Sequence, residues 1–256
     1  MDRKIRVGAV DYLNTKPLVY GIQQGMMNDR VELYFDYPSN IASALLTNKI
    51  DVGLVPIAIL PQLHQYQFVS DYCISADGEV ASVGLFSEVP VREIEVVLLD
   101  YQSSTSIELA QLLLKEYWKI NPVFKKADID FREKISGSTA AVVIGDRAFE
   151  QRNISAYSYD LGVAWKELTG LPFVFAAWVS NTPLDQSFIA NFNAANEFGL
   201  KHIDDVVRQN PCDLFDLKQY YTKYIRYRLT NENRKGMEEF LKRLGQRSGE
   251  EIPFFK

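Results

Sequence analysis

The sequence predicts an α/β protein of two lobes with a ligand cleft between them, and three observations carry that expectation. Apolar runs of strand length alternate with segments of helical period from the first residues onward, the pattern of parallel strands joined by helical crossovers. The alternation pauses at SEVPVREIE, residues 87–95, and then starts again. From Asn181 the chain reads as helical, with no sheet of its own to complete. Such a tail is expected to pack back on the first unit, which makes the middle an insertion joined by two crossings, near residues 87–91 and 175–180. Lobe 1 then comprises residues 1–88 and 178–256, and lobe 2 residues 89–177. In open α/β sheets ligands bind beyond the carboxyl ends of the strands, here in the cleft.

The first unit reads as strands at Ile5–Val10, Val31–Tyr37, Asp51–Ile57, Asp71–Ile74 and Ala81–Phe86. Between them, Pro17–Gln24 and Ser39–Asn48 read as helices, the second with Ile41, Ala42, Leu45 and Leu46 on one face and Ser39 as its cap. The second unit opens with a strand at Val96–Leu99, a helix at Ser106–Trp118 and a short strand near Val123. A strand at Ala140–Ile144, a helix at Val163–Thr169 and a strong strand at Phe173–Val179 complete it.

Composition narrows the function classes. The 256 residues carry 28 basic and 33 acidic side chains with no block of like charge, which argues against a nucleic-acid surface. The basic residues near the end alternate with Glu and Asn and read as a solvated helix face. Cys73 and Cys212 stand far apart without a CxxC pair, so neither a disulfide scaffold nor a zinc site is indicated. No apolar run reaches the ~18 to 20 residues that cross a bilayer. MDRKIRVGAVDYL has no long apolar stretch and no small-residue cleavage site, so a soluble, cytoplasmic protein is expected. His64 and His202 occupy no recognisable catalytic or ligand spacing, and GxSxG, HExxH, GxxxxGK[ST] and GxGxxG are all absent. An enzyme built from this sequence is expected to work without metal, nucleotide cofactor or histidine relay.

Two strand-to-helix corners are the candidate site. In VDYLNTKPLVYG, proline suits the first helical position and disfavours helical dihedrals for Lys16, so a helix beginning at Pro17 is expected, with Asn14 and Thr15 as loop residues before it. Free N–H groups and the helix dipole favour an anion there; an ordinary capping turn is the alternative. In LDYQSSTSIELAQLLL, Thr105 and Glu108 fit a capping box, and the hydroxyl run Ser103, Ser104, Thr105 and Ser106 exceeds what one cap requires; a plain polar loop is the alternative. Two such corners, one from each lobe, suit a ligand with two separated carboxylates. Ser82, inside the apolar ASVGLF, either donates to a ligand or fills a small space. Gly145 and Asp146 follow a buried strand, where Asp146 either meets substrate or caps the next helix. Asp51 before VGLVP reads as turn chemistry.

Taken in order, VGAVDYLNTKPLVYG, DVGLVPIAIL, CISADGEVASVGLFS, STSIELAQLLL, AAVVIGD and YDLGVAWKELTGLPFVFAAWV resemble the chorismate dehydratases of the futalosine route to menaquinone. The likeness runs from about residue 5 to residue 180, and YLNTKPL and DLGVAWKELTGLPFVFAAW are its most specific parts. The resemblance implies a type II periplasmic-binding-protein-like fold used as a cytoplasmic enzyme without a cofactor. It implies a hydro-lyase reaction in which chorismate loses water to give 3-[(1-carboxyvinyl)oxy]benzoate. It also implies that Asn14 and Ser82 are the catalytic residues, with Thr15, Ser103, Ser104, Thr105, Gly145 and Asp146 lining the substrate pocket. Two alternatives stay open: the sister dihydroxynaphthoate synthases, which carry a Ser-Pro-Cys-type first loop, and a non-enzymatic binding protein for a small carboxylate.

Overall fold

The computed structural model describes residues 3–100 and 104–248. In chain order the elements begin β1 (Ile5–Val10), α1 (Lys16–Gln23), β2 (Val31–Asp36), α2 (Pro38–Leu46), β3 (Val52–Pro56), β4 (Gln67–Ala76) and β5 (Val83–Ser87). They continue through β6 (Val96–Leu99), α3 (Ser104–Glu116), β7 (Val123–Lys126), β8 (Thr139–Ile144), α4 (Arg147–Ile154), β9 (Tyr157–Asp160) and α5 (Leu161–Thr169). The last are β10 (Phe173–Ser180), α6 (Gln186–Lys201), α7 (Ile203–Gln209), α8 (Leu217–Gln219), β11 (Arg226–Arg228) and α9 (Asn231–Ser248).

The chain divides into two compact units. The first runs to Ser75 and resumes over Val174–Thr230; the second takes Ala76–Phe173 and the chain from Asn231 onward. These limits differ from the expected ones. Residues 83–87 belong to the second unit because β5 pairs with β8 and β9. The chain therefore passes from one unit to the other three times, at 75, 173 and 230.

The tail is split by what its apolar residues meet. In the first unit, α6 lies so close to α1 that a Cβ on Gly21 would stand 2.2 Å from the Ala195 carbonyl oxygen, and one on Gly199 only 1.9 Å from that of Pro17. Phe192 packs edge-to-face on Trp178, whose indole N–H donates to Asn196 Oδ1 at 2.9 Å. In the second unit, Phe240 of α9 meets Trp165 and Phe173 edge-to-face, with centroids 6.0 and 5.0 Å away. All three rings are buried, and each large apolar side chain so placed is worth about 1.5–3 kcal/mol. Arg243 and Arg247 pair with Glu116 and Glu108 of α3, and this fixes α9 on the second unit.

The first sheet has the order β11-β4-β10-β3-β1-β2, with β1 parallel to β2 and β3, and β10 antiparallel to β3. Every residue of β3 and β10 is buried, which accounts for their unbroken apolar sequences. The second sheet has the order β7-β6-β8-β5-β9. There β6 runs parallel to β7 and β8, while β5 runs antiparallel to β8 and β9. Val83 pairs with Ile144, so the amino end of β5 meets the carboxyl end of β8, beside the carboxyl end of β6. One end of the sheet's inner strands thus gathers the starts of β5, α3 and α4.

Candidate functional site

In the first unit, β1 does not open into a loop before its helix. Leu13–Thr15 form a single 3₁₀ turn, Thr15 N–H donates to the Tyr12 carbonyl at 3.0 Å, and α1 follows at Lys16, one residue earlier than expected. Lys16 is helical at φ −52°, ψ −44° despite the proline behind it. Pro17 falls in the first turn, where its missing N–H leaves no hydrogen bond unmade. Thr15 is buried, and its hydroxyl approaches Asn14 Oδ1 at 3.4 Å instead of capping α1. Tyr227 of β11 donates its phenol O–H to the Asn14 carbonyl at 2.9 Å. Burial, with Tyr220 and Tyr221 nearby, pushes the Tyr227 phenol well above its ordinary pKa, so it stays a donor. Lys16 Nζ pairs with Asp11 at 2.5 Å, beside the partly exposed Asn14.

In the second unit, Ser82, Ser104, Thr105, Gly145 and Asp146 stand at the end of the sheet described above; Ser103 lies outside the described residues. Ser82 is fully buried, and its carbonyl accepts from Gly145 N–H at 2.9 Å. Its own N–H donates to the Val80 carbonyl at 2.8 Å, closing a three-residue turn with Ala81 at φ +64°. A γ-turn of that hand is rare and strained. Gly145, at φ +65°, turns the chain from β8 into α4. α3 is described from Ser104, which places Thr105 inside the helix and not at the expected cap position, and Glu108 pairs with Arg247. The Ser104 hydroxyl oxygen is buried at that helix start with no hydrogen-bond partner. Asp146 holds the cap position of α4, but its side chain makes no capping hydrogen bond. Arg147 pairs instead with the buried Asp100, tying α4 to the end of β6.

Three contributors escape sequence reasoning because their partners are distant in the chain. Tyr227 meets Asn14 across 213 positions, and Asp160 reaches Val80 and Ala81 across about 80. Arg152 donates to the Ala81 carbonyl at 3.3 Å and pairs with Glu79 at 2.8 Å. The only local signal was the DLG triplet at 160–162, whose Asp160 caps α5 through the Gly162 and Val163 N–H groups.

The remaining candidates have structural roles. Asp51 accepts from Arg3, and from the Arg6 guanidinium and main chain, at 2.8–3.1 Å, at the opposite end of β1 from Asn14. Burial pushes its carboxyl up, but the hydrogen bonds from Arg6 and Arg3 outweigh this and hold it well below the usual carboxylate range. Its role is an ion-paired clamp, beyond the turn expected of it. Ser39 does not cap α2, which starts at Pro38 after Tyr37; Asp36 Oδ1 takes the Tyr37 N–H at 2.7 Å and the Asn40 side chain at 2.8 Å. His202 stacks on Phe198 at 4.0 Å and bonds the Phe198 carbonyl at 2.7 Å. Among the described residues no group of three or more His, Cys, Asp or Glu is placed to hold a metal, and no helix is long and apolar enough to cross a membrane.

What the chain offers chemically is two helix-entry corners with hydroxyl and amide groups. The solved structures most informative here carry the same framework. The chain superposes on a protein from Archaeoglobus fulgidus with a TM-score of 0.78 at 14% identity, covering 96% of this chain and 98% of that one. It also superposes on the alkanesulfonate-binding protein SsuA from Xanthomonas axonopodis, solved with MOPS bound, with a TM-score of 0.66 at 12% identity over 99% and 95% of the two chains. The fold is therefore α/β of the periplasmic-binding-protein-like class.

Within that class the sequence is more specific. The model of the menaquinone biosynthesis family matches residues 5–246, and the chain belongs to that family. It is 26% identical to the chorismate dehydratase of Thermus thermophilus over 93% of this chain and 94% of that protein. It is 22% identical to the chorismate dehydratase of Campylobacter jejuni over 92% and 95%.

Proposed function

We propose that this chain is a chorismate dehydratase: a cytoplasmic hydro-lyase that converts chorismate to 3-[(1-carboxyvinyl)oxy]benzoate on the way to menaquinone. The observation that carries the reading is the match to the menaquinone biosynthesis family over residues 5–246, together with two relatives of that activity aligned over more than nine-tenths of the chain. The YLNTKPL corner supports the dehydratase over the sister synthase, whose first loop is of the Ser-Pro-Cys type.

The chemistry suits corners of this kind. The hydrogen on the ether-bearing ring carbon is vinylogously acidic to the ring carboxylate. Its removal gives an extended enolate that expels the neighbouring hydroxyl and becomes aromatic, so the protein has to stabilise charge gathering on the carboxylate. Hydroxyl and N–H donors do that, and one such donor is worth about 3–4 kcal/mol. In this reading Asn14 orients the ring or the departing hydroxyl. Ser82 and the loop of Ser103, Ser104 and Thr105 hold the carboxylates, with Thr15, Gly145 and Asp146 lining the pocket. The substrate's enolpyruvyl carboxylate takes the proton, in keeping with two histidines that sit outside both corners.

A second reading has one observation in its favour, the likeness to sulfonate-binding proteins: binding of a small acid without turnover. Incubation of purified protein with chorismate separates the two. The dehydratase reading expects a new aromatic absorbance and a product lighter by one water. Chorismate recovered intact, bound or unbound, contradicts it.

A further inference from the structure

We propose that Asp160 is a positioning residue that sets Ser82 in place, an inference that rests on the dehydratase reading of Ser82. A helix cap needs one carboxylate oxygen, and Asp160 Oδ1 fills that need with Gly162 N–H at 2.9 Å and Val163 N–H at 3.1 Å. The same oxygen also takes the Val80 N–H at 3.2 Å. Asp160 Oδ2 accepts from Ala81 N–H at 2.8 Å and Val80 N–H at 3.1 Å, the two amides that immediately precede Ser82. One partly buried carboxylate therefore joins the start of α5 to the turn that presents the serine.

The turn has a reason to need holding. Ala81 sits at φ +64°, a conformation that L residues avoid and that persists where the surroundings over-determine it. Asp160 holds the turn on its amide side. Arg152 holds its carbonyl side, donating to the Ala81 oxygen at 3.3 Å while lying 3.7 Å from Asp160 Oδ2. Beyond the turn, the Gly145 amide fixes the Ser82 carbonyl. The Ser82 backbone is thus bound on both sides, and the Asp160 side is the one that carries strain. Close packing enforces the same register: a Cβ on Gly162 would stand 2.3 Å from the Gly78 carbonyl oxygen.

The test is a kinetic cycle on the full chain with chorismate as substrate. Asp160→Asn keeps the size but gives a neutral amide, whose NH₂ opposes the N–H donors. It should lower kcat by about 10- to 100-fold, the cost of misplacing a reacting group by a fraction of an ångström to an ångström, with KM changing less. Arg152→Gln, at a side chain 28% exposed, should lower kcat by about 2- to 5-fold with the fold intact. Ala81→Gly, which removes the penalty on positive φ, should restore part of the rate to D160N. Both losses should shrink toward unity when Ser82 is already Ala, because a residue acting through Ser82 has nothing left to position.

Wild-type kcat in D160N, or the same fold-loss with and without Ser82, overturns the proposal, and R152Q decides it by the same comparison if D160N does not fold. Failure of the underlying functional reading looks different: the wild-type protein itself leaves chorismate unchanged, or S82A alone keeps the full rate.

Discussion

The corner at Asn14 and the corner at Ser82 both lead into catalytic candidates at a strand end, yet they are built with opposite polarity. At Asn14 the backbone offers a carbonyl, and a neutral donor, the Tyr227 phenol, holds it from a distant strand. Before Ser82 the backbone offers the Val80 and Ala81 amides, and a partly buried carboxylate holds them. The first corner keeps ordinary dihedrals, with Thr15 and Lys16 both helical, whereas the second contains Ala81 at φ +64°. The difference teaches that a helix entry is fixed cheaply by a neutral hydrogen bond when its dihedrals are relaxed. A strained turn needs several hydrogen bonds to one charge.

The largest expected effect lies at the second corner. Ser82→Ala removes a donor and should lower kcat by about 10²–10³-fold with the fold retained. A wild-type rate would mean that the elaborate turn serves packing alone. Next, Gly162→Ala places a methyl 2.3 Å from the Gly78 carbonyl oxygen and should destabilise the second unit by about 1–3 kcal/mol. Chemical denaturation reads this directly, and unchanged stability would deny the close approach.

Tyr227→Phe sharpens the contrast from the other side. It removes one neutral hydrogen bond, worth about 1 kcal/mol, so the rate should fall by about fivefold; a loss equal to that of Ser82→Ala would erase the distinction between the corners. The last effect belongs to the first unit and disappears in acid. The Asp51 carboxyl is held below its ordinary value, so its stabilising contribution is present above the unfolded carboxyl pKa of about 4 and is lost as pH falls through the window beneath it. Melting temperatures of wild type and Asp51→Asn should therefore converge as the pH drops below about 4. A constant gap down to the lowest pH would contradict the ion-paired role.

Local signals were legible and long-range ones were not. The strands Ile5–Val10 and Val96–Leu99 match β1 and β6 residue for residue, because apolar runs bounded by polar turns leave little choice. β4 is far longer than Asp71–Ile74 since the polar positions of QFVSDYCISA hide its ends. β9 and β11, YSYD and RYR, are short and half-polar and give no apolar run to read. The assignment of α9 depended on where Phe240 and Arg243 found partners, which no periodicity specifies. Among the candidate residues, Asn14 was legible from the turn before the first helix, Gly145 and Asp146 from the end of a buried strand, and Ser82 from inside an apolar strand, with the family resemblance singling out Asn14 and Ser82. Tyr227, Asp160 and Arg152 were not, because each acts on a backbone group remote in sequence.

The central claim is the proposed one, that the chain removes water from chorismate and needs both Asn14 and Ser82 to do so. Its most direct test is the time course of aromatic product from chorismate with the wild-type protein beside the Asn14→Ala/Ser82→Ala double variant, both confirmed folded. The account predicts enzymatic turnover by the wild type and a background rate from the variant. Equal product from both proteins, or none from the wild type, would contradict it.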